Sequence, residues 1–166
     1  MDAEYEIALA VRDDVTDILE LQEQNLREHG GALSVRLSRD WFEEALADMP
    51  VLVARRAGRL AGYLVSSSPA AQAGFPVIRA MLGVYPLPAG AYVSGPICVA
   101  DGERGTNLPL ALVSALRQRL PGRQGVTFVR RDNHRSMRAA AKVGMREVAG
   151  FVHAGAEMAV LVHPGD

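Results

Sequence analysis

Apolar residues recur along this 166-residue chain at two different spacings, and the order in which those spacings alternate sets the fold class. Tyr5–Val11 alternates loosely and reads as a first strand. Asp13 and Asp14 then offer an N-cap and first-turn acids. Val15, Ile18, Leu19, Gln22 and Leu26 share one face, which predicts an amphipathic helix over 14–28 stopped by Gly30-Gly31. Ser38 can cap a second helix with Phe42, Ala45 and Leu46 inward, ending before Pro50. Val51–Arg55 and Leu60–Ser66 read as a hairpin around Ala57-Gly58. Residues 67–90 hold four prolines and three glycines, with a short helix at Phe75–Leu82 whose first turn contains Pro76. Ala91–Val99 reads as a strand disturbed by Gly95-Pro96, which requires an edge or a bulge. A loop at Ala100–Thr106 leads into a strongly apolar helix, Leu108–Leu120, with Leu112, Val113, Leu116 and Leu120 inward and Pro121-Gly122 as its stop. Val126–Arg130 is a strand, Arg135–Val143 a short helix with Gly144 at its C′ position, and Met145–Val152 and Glu157–Val162 are strands around Ala154-Gly155. The resulting order, β-α-α-β-β-(α)-β-α-β-α-β-β, predicts a mixed α/β fold with one central sheet of about seven strands. No linker, repeat or low-complexity tract divides the chain, so one domain over 1–166 is expected.

Composition excludes several classes. Apolar residues at 49% and charged residues at 22% suit a globular protein with a real core. The lone Cys98 cannot form an internal disulfide. No apolar run reaches spanning length, and Met-Asp-Ala-Glu lacks a signal-peptide profile, so the expectation is a cytoplasmic protein without a membrane anchor. Of the 18 basic residues only Lys142 is lysine, which with abundant alanine reads as the coding bias of a GC-rich bacterial genome. A net charge of −1 argues against a nucleic-acid partner. There is no His-Glu-x-x-His, Cys-x-x-Cys or clustered His/carboxylate set, so no metal site is expected. Gly-x-Ser-x-Gly and a Walker loop are also absent.

The chemistry-bearing stretch is the strand-loop-helix unit over 97–112. A helix that opens directly after a strand presents free N–H groups and a positive dipole end to an anion. Gly105 and Asn107 allow the backbone to fold around a phosphate, and Pro109 is tolerated in the first turn. An ordinary turn capped by Thr106 or Asn107 is the competing reading. A second stretch follows the next strand: Asn133, Ser136, Lys142, Gly144 and Met145. Together the two stretches resemble the GNAT superfamily of acyl-CoA N-acyltransferases. Its phosphate loop, Arg/Gln-x-x-Gly-x-Gly/Ala, matches here as Arg104-x-x-Asn107-x-Pro109. Its Asn-x-x-Ala/Ser motif, followed by Lys-x-Gly-Phe, matches with Met145 in place of Phe. Both loop glycines are replaced, and the family's frequent Tyr falls on Ala140.

The resemblance implies a single mixed, mostly antiparallel sheet flanked by helices, with strands splayed at the acyl-CoA site near Gly95-Pro96. It implies that backbone amides from Gly105 to Leu110, including Thr106, Asn107, Leu108 and the neighbourhood of Pro109, hold the pyrophosphate beside Arg104. It further implies that Ile97, Cys98 and Val99 pair with the pantetheine arm like an added strand, with Asn133 and Ser136 facing that arm. The implied co-substrate is acetyl-CoA or another acyl-CoA. The implied acceptor is an amine of a small molecule or protein that attacks the thioester directly, entering across Gln24 to Leu37 and the 67–90 segment. Thiolate protonation is open among water, Ser136, Tyr92 and Cys98. Base candidates are Glu28, His29, His153 and Glu157. Plainer readings stand beside each: Glu28 and Glu157 as solvated carboxylates, His29 as a helix-terminal cation, Tyr92 as a packed strand aromatic, Cys98 as a small core residue, and His134, His153 and His163 as surface residues. The replaced glycines and Ala140 motivate an alternative, a non-catalytic acyl-CoA-binding or regulatory domain. A Rossmann-like nucleotide binder lacks its Gly-x-Gly-x-x-Gly fingerprint after the strand at 91–99. Family members pair through terminal strands, so a homodimer is expected.

The net charge conceals an asymmetry. Residues 1–48 carry 13 of the 19 acids, whereas residues 104–146 carry nine arginines and Lys142 against only Asp132. The basic segment suits the phosphates of CoA, and the acidic one suits a cationic amine.

Overall fold

The computed structural model describes residues 5–26, 33 and 35–163. Seven strands form one mixed sheet: β1 (Glu6–Leu9), β2 (Val51–Arg56), β3 (Arg59–Ser67), β4 (Tyr92–Val99), β5 (Gly125–Arg130), β6 (Arg146–His153) and β7 (Ala156–His163), in the order β1-β2-β3-β4-β5-β7-β6. The pairs β1–β2, β2–β3, β5–β7 and β6–β7 are antiparallel, and β4 runs parallel to β5 through Tyr92↔Gly125 and Val93↔Val126. The helices are α1 (Val15–Gln24), α2 (Arg39–Asp48), α3 (Pro69–Gln72), α4 (Pro76–Val84), α5 (Leu108–Arg119) and α6 (His134–Lys142). The mixed, mostly antiparallel α/β architecture expected from the sequence is the one observed. The chain divides into two compact units, residues 1–66 with 95–116 and residues 67–94 with 117–166.

In the first unit, Ala57 and Gly58 both take positive φ (52° and 76°), the conformation that a two-residue hairpin turn requires. Ser38 Oγ accepts from the Trp41 amide at 3.0 Å and starts α2 as expected. Asp14 does not cap α1 with its side chain. Its Oδ2 instead accepts from the Val11 amide at 2.8 Å and closes the single turn Arg12–Asp14, so α1 begins one residue later, at Val15. The helix ends at Gln24 rather than 28, because Asn25 turns out of helical geometry and its Nδ2 bonds the Leu21 carbonyl at 2.9 Å. Glu28, His29 and Gly30-Gly31 lie outside the described residues. Gln22 is buried and clamps the Leu37 backbone twice, through Nε2 to the carbonyl and Oε1 from the amide, each at 2.9 Å. The core of this unit closes on Val15, Ile18, Phe42 and Leu52, with Phe42 meeting Tyr63 edge-on at 6.0 Å between ring centroids.

In the second unit, β7 is buried on both faces by simple alternation. Val160 and Val162 join Val77, Ile78 and Met81 of α4, while Ala159 and Leu161 pack with Ala140 of α6. The short helix α3, begun by Pro69, was not expected; four residues are too few for a periodic pattern to register. The β6–β7 turn, Ala154-Gly155, repeats the positive φ values of the Ala57-Gly58 turn (49° and 76°). His163 is not a surface residue: it ends β7 opposite Gly125 and is 1% exposed, because the strand carries it into the core. His153 is half-buried and His134 exposed.

Candidate functional site

The loop between β4 and α5 is built entirely within the first unit. A single turn at Asp101–Glu103 follows β4 and is held by the Glu103 amide on the Ala100 carbonyl. Gly105 has φ +80°, and a Cβ there would meet nothing within 4 Å, so the conformation calls for glycine while the space around it is open. Thr106 folds back, its Oγ1 donating to the Glu103 carbonyl at 2.6 Å and accepting from the Leu108 amide at 3.2 Å. Asn107 supplies the first helical carbonyl, taken by the Ala111 amide at 2.9 Å. The capping reading of Thr106 therefore describes part of the loop. The amides of Thr106 and Leu108 are bonded within the protein, and Pro109 has none. Among the described residues, the amides of Gly105, Asn107 and Leu110 find no protein acceptor. They stand at the positive end of a 12-residue helix, where an oxyanion is favoured.

Distant residues hold this loop in place. The Glu103 carboxylate accepts from the Tyr5 hydroxyl and from Arg56 Nη1 at 3.3 Å. Arg104 is exposed and bridges Asp101 at 3.0 Å and the Asn25 side-chain oxygen at 3.2 Å. The sequence offered no local mark of Tyr5, Asn25 or Arg56 as loop anchors, since each acts from another element. Gly62 lets the start of α5 approach the sheet: a Cβ there would lie 2.8 Å from the Cys98 carbonyl and 3.1 Å from Leu108.

On β4 beyond Pro96, Ile97 is exposed, Cys98 buried and Val99 half-buried. The Cys98 thiol donates to the Tyr63 hydroxyl at 3.1 Å. Burial pushes that thiol up to about 12, against the smaller opposing pull of Tyr63 and Arg104. The Tyr63 hydroxyl is pushed upward as well, mainly by burial. Cys98 is thus a neutral core residue at physiological pH. Leu108 is fully buried, Pro109 half-buried and Leu110 exposed.

In the second unit, Asn133 is the N-cap of α6, its Oδ1 accepting from the Ser136 amide at 3.1 Å. Among the described residues the Asn133 side-chain NH2 and the Ser136 hydroxyl find no partner, and both residues are half-buried. Ala140 lies one turn beyond Ser136 along the helix, packed among Ala159, Leu161 and Met137. Tyr92 is 1% exposed, with its ring against Gly125 and the Arg123 guanidinium 5.9 Å from its centroid. Burial raises its hydroxyl, with Arg117 and Arg123 opposing. The packed-aromatic reading of Tyr92 describes this environment. His153 and Glu157 flank the last hairpin. Among the described residues, no group of three His, Cys, Asp or Glu side chains could hold a metal ion, and no helix is long and apolar enough to cross a membrane.

No family model and no curated protein matches the chain. Solved structures do. The yncA protein of Salmonella typhimurium, determined with its cofactor acetyl-CoA, superposes with a TM-score of 0.72 at 20% identity over 99% of this chain and 95% of that one. The GNAT superfamily phosphinothricin acetyltransferase of Sinorhizobium meliloti, in complex with acetyl-CoA, gives 0.71 at 18% identity over 96% and 88%. The ribosomal-protein-S18-alanine N-acetyltransferase of Escherichia coli gives 0.69 at 11% over 98% and 94%. At these identities the likeness is one of fold, and the fold of this chain is that of the GNAT acetyltransferases.

Proposed function

We propose that this protein, read as one domain, is an acyl-CoA N-acyltransferase using acetyl-CoA. The observation that carries the reading is the β4–α5 loop, whose Gly105, Asn107 and Leu110 amides are unclaimed at the positive end of a helix. Those amides bind the pyrophosphate, with Arg104 as the nearby cation. The backbone of Ile97–Val99 pairs with the pantetheine arm, and the free Asn133 amide group donates to it. A neutral amine nitrogen attacks the thioester carbonyl carbon, the carbon–sulfur bond breaks, and the departing thiolate takes a proton. The Ser136 hydroxyl or water supplies that proton, since Cys98 is committed to Tyr63 and Tyr92 is buried. The attacking nitrogen gives up its surplus proton to a base, for which the sequence offers Glu28, His29, His153 and Glu157. The neighbours span both acceptor classes, a small molecule and a protein amine, and the acceptor here is an amine of one of these kinds.

A second reading, acyl-CoA binding without turnover, is favoured by one observation: the position of the family's acid Tyr is Ala140, sealed in a packed cluster. Calorimetric titration with acetyl-CoA tests both readings, and no heat at millimolar cofactor rejects both. Where binding is seen, thiol release with a panel of primary amines separates them: release with any amine supports the enzyme, and its absence throughout supports the binding domain.

A further inference from the structure

Beside the start of the β4–α5 loop, where Ala100 joins the lining, the polar face of α1 opposes the β2–β3 hairpin across a cleft of about 380 Å³, the size of a small-ligand site. One wall is acidic, with Asp17 and Glu20, and continues to Gln24 one turn on. The other is basic, with Arg55 and Arg59, and Leu60 adds an apolar surface. The centre of this arrangement is already neutralised: Arg55 bridges Asp14 at 2.7 Å and Asp17 at 3.1 Å. The rim is not. Among the described residues Glu20, Gln24 and Arg59 find no partner, although each has an oppositely charged or complementary group lining the same cleft.

This is unusual within the unit. Arg12 is paired with Glu43, Arg36 with Glu23, Arg39 with Thr16, Arg56 with Glu103 and Arg104 with Asp101. Among its described arginines, Arg59 alone is unengaged. A guanidinium and a carboxylate that line one cleft without bridging each other present complementary ends to a molecule carrying both charges. A guanidinium receives a carboxylate through two parallel hydrogen bonds, and a carboxylate with a neighbouring amide oxygen receives an ammonium.

We infer that this cleft binds a small zwitterion of the amino-acid class, with Arg59 on its carboxylate and Glu20 and Gln24 on its ammonium group. The site shares no residue with the loop amides assigned to acyl-CoA, so it stands or falls separately from that reading. The test is calorimetry on the full chain without CoA, using glycine, L-alanine and L-glutamine as probes and acetate and methylammonium as single-charge controls. The expected result is saturable binding of at least one zwitterion with a Kd of about 1 mM or tighter. Arg59→Gln and Glu20→Gln should each weaken it about tenfold or more, with unchanged melting temperature because both side chains are exposed and unpaired. No saturable binding by any zwitterion overturns the inference. So does equal affinity for acetate or methylammonium, or full affinity in either variant.

Discussion

Asn133 serves α6 with one end of its side chain and leaves the other end free, so its two duties can be separated by substitution. Asn133→Ala removes the cap and should cost about 1 kcal/mol of stability as well as cofactor affinity. Asn133→Asp keeps an N-cap acceptor but removes the amide donor. We expect near wild-type unfolding by denaturant and acetyl-CoA binding weakened several-fold in calorimetry. Undiminished binding in the Asp variant would refute the assigned donor role. Cys98 makes a prediction of a different kind. Its thiol is pushed up to about 12 in the folded state, whereas the unfolded chain releases its proton near the ordinary thiol value. Below about pH 9 neither state is ionised and the stabilisation is fully present; above it the unfolded state loses its proton first, so stability falls as pH rises toward 12. Denaturant titrations from pH 8 to pH 10.5 should show this decline, and Cys98→Ala should flatten it. Asn133 and Ser136 were singled out by their motif, whereas the capping bond between them, although it spans only one turn, was not read from the sequence. The partnership of Cys98 with Tyr63, 35 positions away, had no local mark.

At the level of elements, the start of α5 depends on a residue outside it. Gly62 sits where a Cβ would strike the Cys98 carbonyl at 2.8 Å, and backbone cannot swing aside as a flexible side chain can. Gly62→Ala should therefore displace the β4 backbone or the Leu108 anchor, costing about 1–3 kcal/mol. The same displacement should raise the Kd for acetyl-CoA, read by calorimetry at a temperature where the variant remains folded; an unchanged melting temperature would show that the packing is less tight than described. The sequence announced most elements correctly for local reasons: a Ser cap for α2, an Ala-Gly turn in each of two hairpins, and Gly144 with positive φ just past α6. It overran α1, because apolar periodicity continues to Leu26 while the Asn25 side chain has already turned back onto Leu21. It also assigned the Asp14 side chain to the wrong turn, since a carboxylate at that position can accept from either end and the chain path before it decides.

For the whole molecule, the charge asymmetry bears on binding more than on folding. The acids of residues 1–48 and the bases of residues 104–146 nearly cancel in the net charge of −1, yet a multiply charged anion samples the local field rather than the sum. Affinity for acetyl-CoA should fall steadily as sodium chloride is raised from tens to hundreds of millimolar, because the Debye length shrinks to about 10 Å or less over that range. A flat response in calorimetry would mean that backbone amides alone hold the phosphates. The sequence by itself determined the order of the longer elements, the Ser38 cap, the two Ala-Gly turns and the two stretches that resemble an acyl-CoA site, because these rest on interactions spanning a few residues. Only the tertiary structure decided which loop amides remain open, that Cys98 is neutral, that His163 is buried and that Arg59 is unengaged. Each of those properties is set by atoms from another part of the chain, as when Asn25 reaches Arg104 across 79 positions, and folding brings such atoms together without leaving a local pattern in the sequence.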